Sequence, residues 1–278
     1  MIHETGHFEG RENKKLFYQY WLPDSKNIKA YLIAIHGWGT HSDRIKVPAK
    51  YFTENSYAIF TFDLRGHFRN AEIQGHIDSM DHIQKDLVLF MDLVKKKAED
   101  GKIYLMGHAF GGLVSLIYAI EHPGLPGVIV SSPQLGFTTK SSIGKKMLKK
   151  VTGAISKPTK SIPFVMEQNQ LTSDLKILRE YIADKNKLEV ITLKSLAEVE
   201  FSMKWVMENA INLLCPVLVL QAGDDSIVDK TKTQEFYKNI KSPDKTYREY
   251  DGYLHELWNE KNRALVYRDM YVWLEKHL

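Results

Sequence analysis

The chain alternates short apolar runs with longer amphipathic ones. Residues 31–36, 58–63, 103–106, 128–131 and 217–220 are nearly continuous apolar stretches, rich in β-branched and aromatic types, and each runs into a turn. That pattern marks strands covered on both faces. Between them the period changes. In 83–97 the apolar residues fall at 83, 87, 90, 91 and 94, one face of a helix. The run 113–121 begins after two glycines and stops ahead of Pro123, and 264–278 closes the chain with an amphipathic helix. Residues 16–21, just after Gly10-Arg11-Glu12-Asn13, fit an N-terminal antiparallel hairpin, and 245–250 is a further strand-like run. Strands alternating with helices predict an α/β fold with a mainly parallel sheet.

From about 136 to 212 the rhythm breaks. No strand followed by a turn is visible there, and helix-like pieces such as 174–182 and 192–209 take over. The pattern predicts one core built from 1–135 and 213–278, interrupted by a helical cap at 136–212.

Composition narrows the class. With 278 residues, 44% hydrophobic and 26% charged, the chain is an ordinary globular one. A single cysteine, Cys215, excludes an intrachain disulfide framework and a four-cysteine zinc site. No secretory leader and no run of about 18 apolar residues is visible, which reads as a cytoplasmic soluble chain. A chain whose export signal had been removed would read the same. The net charge of +4 conceals an asymmetry: 137–166 holds seven lysines and no acid, which leaves −3 for everything else. Within that stretch Ile143, Met147, Leu148, Val151, Ala154 and Ile155 follow helical spacing. A basic amphipathic helix suits peripheral contact with a lipid surface, or a solvated face whose stripe packs on the core. It lacks interleaved stacking aromatics, which argues against nucleic acid.

The chemistry concentrates around 103–113. Gly107-His108-Ala109-Phe110-Gly111 sits between a strand and a helix, the setting of a nucleophile elbow, G-x-S-x-G. Here alanine occupies the serine's place. An elbow calls for an acid and then a base further along, each after a strand. Gly223-Asp224-Asp225-Ser226-Ile227-Val228-Asp229 follows 217–220, and Tyr250-Asp251-Gly252-Tyr253-Leu254-His255 follows 245–250. Two apparent motifs do not fit their settings. His3-Glu4-Thr5-Gly6-His7 matches H-E-x-x-H, which works only on a helix, whereas this stretch contains Gly6 and leads into a hairpin. His67, His76 and His82 with Asp78 and Asp81 have no metal-ligand spacing.

These motifs, with His36-Gly37-Trp38-Gly39-Thr40-His41-Ser42-Asp43-Arg44 and Asp63-Leu64-Arg65-Gly66-His67, resemble the α/β-hydrolase superfamily, and within it monoacylglycerol lipases and lysophospholipase-like serine hydrolases. The resemblance covers about 6–135 and 212–278 and does not reach the cap. It implies an eight-stranded, mainly parallel sheet with helices on both faces, no cofactor, no metal, and a small ester or lipid as substrate. It implies that a serine at 109 would attack, that His255 would be the base, and that Asp225, with Asp224 as the alternative, would orient it. Backbone N–H groups of Trp38 and Phe110 would form the oxyanion hole. Candidates for substrate contact are His36, Gly37, Thr40, Arg44 and His108 in or beside the matched motifs, and the apolar Phe137, Phe164 and Trp205 around the cap, which the resemblance does not reach. Apolar residues around the cap, including Ile162, Val165, Met203, Val206 and Met207, are further wall candidates.

The chain departs from that family at three places. Thr40 stands where the lipases often carry an acid, which puts monoglyceride specificity in doubt, and Phe68 and Asn70 replace a Gly-x-Ser continuation, where a packing effect is expected. Ala109 itself has no attacking oxygen, so the chain as it stands is expected not to turn over esters. Two origins remain open, a Ser→Ala substitution in a serine esterase and a natural ligand-binding protein. A carboxylesterase for other esters, such as aromatic acyl esters, is the alternative inside the enzyme class. Nothing in the sequence sets the oligomeric state.

Overall fold

The computed structural model describes residues 1–25, 27–138 and 156–278. Ten strands are found among them: β1 (Ile2–Glu9), β2 (Lys15–Leu22), β3 (Ala30–Ile35), β4 (Tyr57–Phe62), β5 (Ile103–His108), β6 (Val128–Ser131), β7 (Ser161–Pro163), β8 (Val190–Thr192), β9 (Val217–Ala222) and β10 (Lys245–Tyr250). Eight form one sheet in the order β1-β2-β4-β3-β5-β6-β9-β10. The pairs β1–β2 and β2–β4 are antiparallel, and every other pair is parallel. The eight-stranded, mainly parallel sheet expected from the resemblance is therefore present.

Each strand's alternation assigns its side chains to two layers. Leu32 and Ala34 of β3, Ile59 of β4, Met106 of β5 and Leu218 and Leu220 of β9 pack on one side under helices α1 (Lys46–Glu54) and α7 (Arg263–His277). Ile33 and Ile35, Phe60 and Phe62, Leu105, Val217 and Val219 face the other way, under α2 (Met80–Ala98) and α3 (Phe110–Glu121). The five apolar positions read from the sequence of 83–97 are all buried on α2.

Strand order also fixes where a site can form. From β3 the chain steps outward to β4, then crosses back to β5 and continues the other way. The loops leaving β3 and β5 thus diverge and leave a crevice at the carboxyl ends of these strands. Gly37-Trp38 leaves β3 there, and Ala109 leaves β5.

Between β6 and β9 lie β7, α4 (Leu175–Ala183), β8 and α5 (Leu193–Glu208), none of which joins the main sheet. The reading of 136–212 as a helical segment needs an addition, since β7 and β8 pair antiparallel there. Three residues apiece are too few to show a period. The pair is anchored to the core loops: Leu188 N–H donates to Gly39 O at 2.8 Å, Thr192 N–H to Gly75 O at 3.0 Å, and Trp38 Nε1 to Val190 O at 3.3 Å. The lysines at 140, 145, 146, 149 and 150 and the apolar stripe from 143 to 155 lie outside the described residues. No helix among the described residues is long and apolar enough to cross a membrane.

The H-E-x-x-H stretch lies on β1, where His3 stacks on Trp21 and His7 packs against Phe17. Helix α6 (Lys230–Asn239) follows β9, with Asp229 capping its first turn through Thr231 N–H.

Candidate active site

The turn between β5 and α3 is as tight as its glycines suggest. Ala109 sits between them with φ +50° and ψ −114°, a conformation L-residues seldom adopt. It is held on both sides: its N–H donates to Ser131 O at 2.9 Å, and its carbonyl accepts from Leu113 N–H and Gln134 N–H, both at 3.0 Å. A Cβ on Gly107 would lie 2.2 Å from Gly111 O, and one on Gly111 would lie 2.2 Å from Ile35 O. Side chains at either place would push strand and helix apart, so the strained residue keeps its position only because its neighbours have none.

His255 and Asp225 meet beside this turn. Imidazole Nδ1 lies 2.8 Å from Asp225 Oδ2, and both side chains are almost fully buried. A carboxylate only accepts, so Nδ1 carries the proton and Nε2 is the free nitrogen. The second oxygen of Asp225 accepts Ile227 N–H and Val228 N–H, each at 2.9 Å. Burial pushes the Asp225 carboxyl upward, but the His255 charge and hydrogen bond and these two N–H groups hold it below its ordinary value. Burial lowers His255, while Asp225 and then Glu256 outweigh it and raise the imidazole above its ordinary value. Asp224 is exposed, and its N–H is taken by Tyr253 O at 3.0 Å. The bond to His255 thus falls on Asp225.

The loop after β3 supplies the opposite wall. Gly37 O accepts from Thr40 N–H at 3.3 Å and Thr40 Oγ1 at 2.9 Å, closing a turn over Trp38. Phe110 opens α3, so its N–H has no acceptor one turn back. Trp38 N–H likewise has none among the described residues. His67 stands behind both, its ring 4.7 Å from Trp38 and 6.2 Å from Phe110. Burial, with the neighbouring His36, pushes the His67 pKa down to about 3.

A mostly apolar pocket joins these parts. Gly37, Trp38, Thr40, His108, Ala109, Phe137, Phe164 and His255 line it. Phe164 packs against both Trp38 and Phe137, at 5.9 and 6.2 Å between ring centres. His108 faces His255 at 4.7 Å, and burial, helped by the His255 charge, brings its pKa down to about 3. His108 therefore meets the pocket as a neutral ring.

Three of the residues expected to touch substrate are not in the lining of this pocket. His36 lies beneath the pocket, with Nδ1 bonded to Gly37 O at 2.9 Å and Nε2 accepting Leu64 N–H at 3.0 Å, and burial brings its pKa down to about 3. Arg44 turns to Glu256 at 2.8 Å and is absent from the lining. Trp205 lines a separate groove with Ser79, Gln84, Ile117 and Phe201. Helix α5 packs on α3 and buries Met203 and Val206, while the half-buried Trp205 lies in that separate groove beside Ile117 of α3. Ile162 is buried in the same core, and Val165 is exposed on a neighbouring groove.

Gln134, Met166, Ile227, Val228 and Glu256 line the pocket unforeseen. Ile227 and Val228 had a signal, because they belong to the loop that carries Asp225. Gln134, Met166 and Glu256 had none, since chain folding alone brings them there. At the Phe68 and Asn70 departures, the Phe68 ring lies 4.9 Å from that of His41 between centres, and Asn70 Oδ1 accepts Phe17 N–H at 2.8 Å.

Fold and site together define an α/β hydrolase. The chain belongs to the Hydrolase_4 family, serine aminopeptidase, S33, whose model matches residues 26–262. It is 26% identical over 271 residues to phospholipase YtpA of Bacillus subtilis, covering 93% of this chain and 100% of that protein. It is 24% identical over 280 residues to monoacylglycerol lipase of Mycolicibacterium smegmatis, covering 98% and 96%. Among solved structures, a soluble variant of monoglyceride lipase from Saccharomyces cerevisiae, in complex with a substrate analog, superposes with a TM-score of 0.91 at 23% identity, covering 100% of this chain and 96% of that one.

Proposed function

We propose that this chain is the frame of a carboxylic ester hydrolase of the monoacylglycerol lipase and lysophospholipase kind, with alanine in place of its nucleophilic serine. The observation that carries the reading is the Asp225–His255 bond of 2.8 Å beside the strained residue 109. A serine there would give up its proton to His255 Nε2 as it attacks an ester carbonyl. Asp225 would stabilise the imidazolium, and the N–H groups of Trp38 and Phe110 would hold the oxyanion. His255 would then return the proton to the leaving alcohol. Alanine supplies no attacking atom, so the chain as it stands binds esters without turning them over. The test is labelling of Ala109→Ser by a fluorophosphonate probe, with p-nitrophenyl esters of graded acyl length as substrates. A folded variant that neither labels nor hydrolyses leaves ligand binding as the function.

The described part of 136–212 acts as a cap, contributing Phe137, Phe164 and Met166 to the pocket, and the apolar rings of Phe137 and Phe164 make the acyl wall. In the Ala109→Ser background, Phe164→Ala is expected to raise KM for long-chain esters about tenfold. Trp205→Ala is expected to leave it unchanged. Equal effects of the two would refute this placement of the acyl wall. The trio Trp38, Phe137 and Phe164 also favours a second reading, aromatic acyl esters, which a higher kcat/KM on cinnamoyl than on octanoyl esters would establish.

The lysine-rich stretch of the cap serves contact with an anionic lipid surface. Changing Lys145, Lys146, Lys149 and Lys150 to glutamine is expected to abolish flotation with anionic phospholipid vesicles at low salt, since each basic residue near such a surface contributes about 1 kcal/mol. Unchanged flotation would remove that role.

A further inference from the structure

Among the described residues that line the pocket there is one carboxylate, Glu256, which the catalytic scheme does not use. It directly follows His255, and its side chain is only 5% exposed. Oε2 accepts Arg44 Nη2 at 2.8 Å and Asn259 Nδ2 at 2.9 Å. Arg44 sits in the short 3-10 turn Ser42–Ile45, just beyond the loop that presents Trp38 N–H. The ion pair therefore bridges the loop that would hold the oxyanion and the loop that would hold the base, which are 212 residues apart in sequence. Backbone bonds from the inserted segment secure the second loop: His255 N–H reaches Gln170 O at 3.3 Å, and Glu256 N–H reaches Leu171 O at 2.8 Å.

Stability alone does not explain such a pair. A buried ion pair contributes little more than well-packed apolar residues of the same size, because desolvation offsets the attraction. What it does supply is a fixed direction and a fixed field.

We propose that Glu256 is a positioning residue for His255, and that with Arg44 it forms a buried strut setting the base against the oxyanion loop. The proposal rests on the reading of His255 as the general base.

The charges around His255 support this. Asp225 faces it from the loop after β9, neutral His108 from the end of β5, Glu256 from its own loop, and Arg44 from behind Glu256. Two carboxylates and one guanidinium leave a single negative charge beside a neutral imidazole. The cluster becomes neutral when His255 takes a proton, which is the state the reaction must form. Arg44 cancels Glu256, so Asp225 remains as the counter-ion of the imidazolium. Arg44 in turn is held 5.5 Å over the Tyr181 ring of α4.

The test uses the full chain and two readouts. In the chain with Ala109, the His255 imidazole is titrated by NMR. In the Ala109→Ser chain, kcat and KM are measured separately. Glu256→Gln keeps shape and removes charge. It is expected to lower the His255 pKa by about half a unit or more, and to cut kcat about ten- to hundredfold with KM nearly unchanged. Arg44→Met is expected to cut kcat similarly, and Arg44→Lys to restore most of it. An unchanged His255 titration with unchanged kcat overturns the proposal. So does a rise confined to KM, which would make Glu256 a substrate contact, or equal losses in Arg44→Lys and Arg44→Met that track a falling Tm. If Glu256→Gln fails to fold, the two Arg44 variants decide the matter. If Ala109→Ser is inactive, the esterase reading fails, while the titration still reports on the strut.

Discussion

Ala109→Ser is expected to raise ester turnover by on the order of 10⁶, the loss seen when a serine is removed from an otherwise intact triad. The change asks for one oxygen on a Cβ that is already in place. Residue 109 already holds its strained φ of +50°, so serine incurs no new backbone cost. The residue lines the same pocket as His255, whose Nε2 is left free by the bond from Nδ1 to Asp225. The pH profile should carry a signature. A general base works when neutral, so the rate falls as pH drops through its pKa. Asp225 and Glu256 overcome the effect of burial and hold His255 above its ordinary value, which moves the acidic limb upward. A folded Ala109→Ser chain without activity on any acyl length would sink the catalytic reading.

Asp225→Asn in that serine background is expected to cost about 10⁴ in turnover. The amide resembles the carboxylate in shape, but it cannot hold Nδ1–H and neutralise an imidazolium at once. Its two backbone partners, Ile227 and Val228 N–H, can still bond the amide oxygen, so the loop should stay folded. The NH₂ group then faces Nδ1 and favours the tautomer protonated on Nε2, which cannot take the serine's proton. Asp224→Asn is the control. Its exposed side chain reaches neither His255 nor the pocket lining, and turnover should stay within about twofold, as for an ordinary surface substitution. A large loss in Asp224→Asn with none in Asp225→Asn would reverse the assignment.

Much of the frame was legible because its signals are local. The strands at 128–131 and 245–250 match β6 and β10 residue for residue, and the α2 face was read correctly from its period. The elbow was legible for the same reason: its two glycines are required by contacts within a few residues of the turn. The β7–β8 pair was not legible, because three-residue strands show no period and are fixed by hydrogen bonds to Gly39 and Gly75 far earlier in the chain. That Trp205, His36 and Arg44 lie off the pocket lining was not legible either, for a related reason. Residue type names a chemistry but not a direction, and the direction came from how α5 packs on α3 and from which partner each side chain reaches.

By itself, then, the sequence determined the strand–helix alternation, the elbow with its alanine, and the order of residue 109, the acid loop and His255. Periodicity, glycine sterics and turn chemistry act over a handful of residues and are written in the chain. Only the tertiary structure decided that Asp225 rather than Asp224 meets His255, that Phe137 and Phe164 line the pocket while Trp205 does not, and that Arg44 spends its charge on Glu256. Those outcomes depend on which of several equally suitable side chains the packed sheet brings within 3 Å, across separations of 30 and 212 residues.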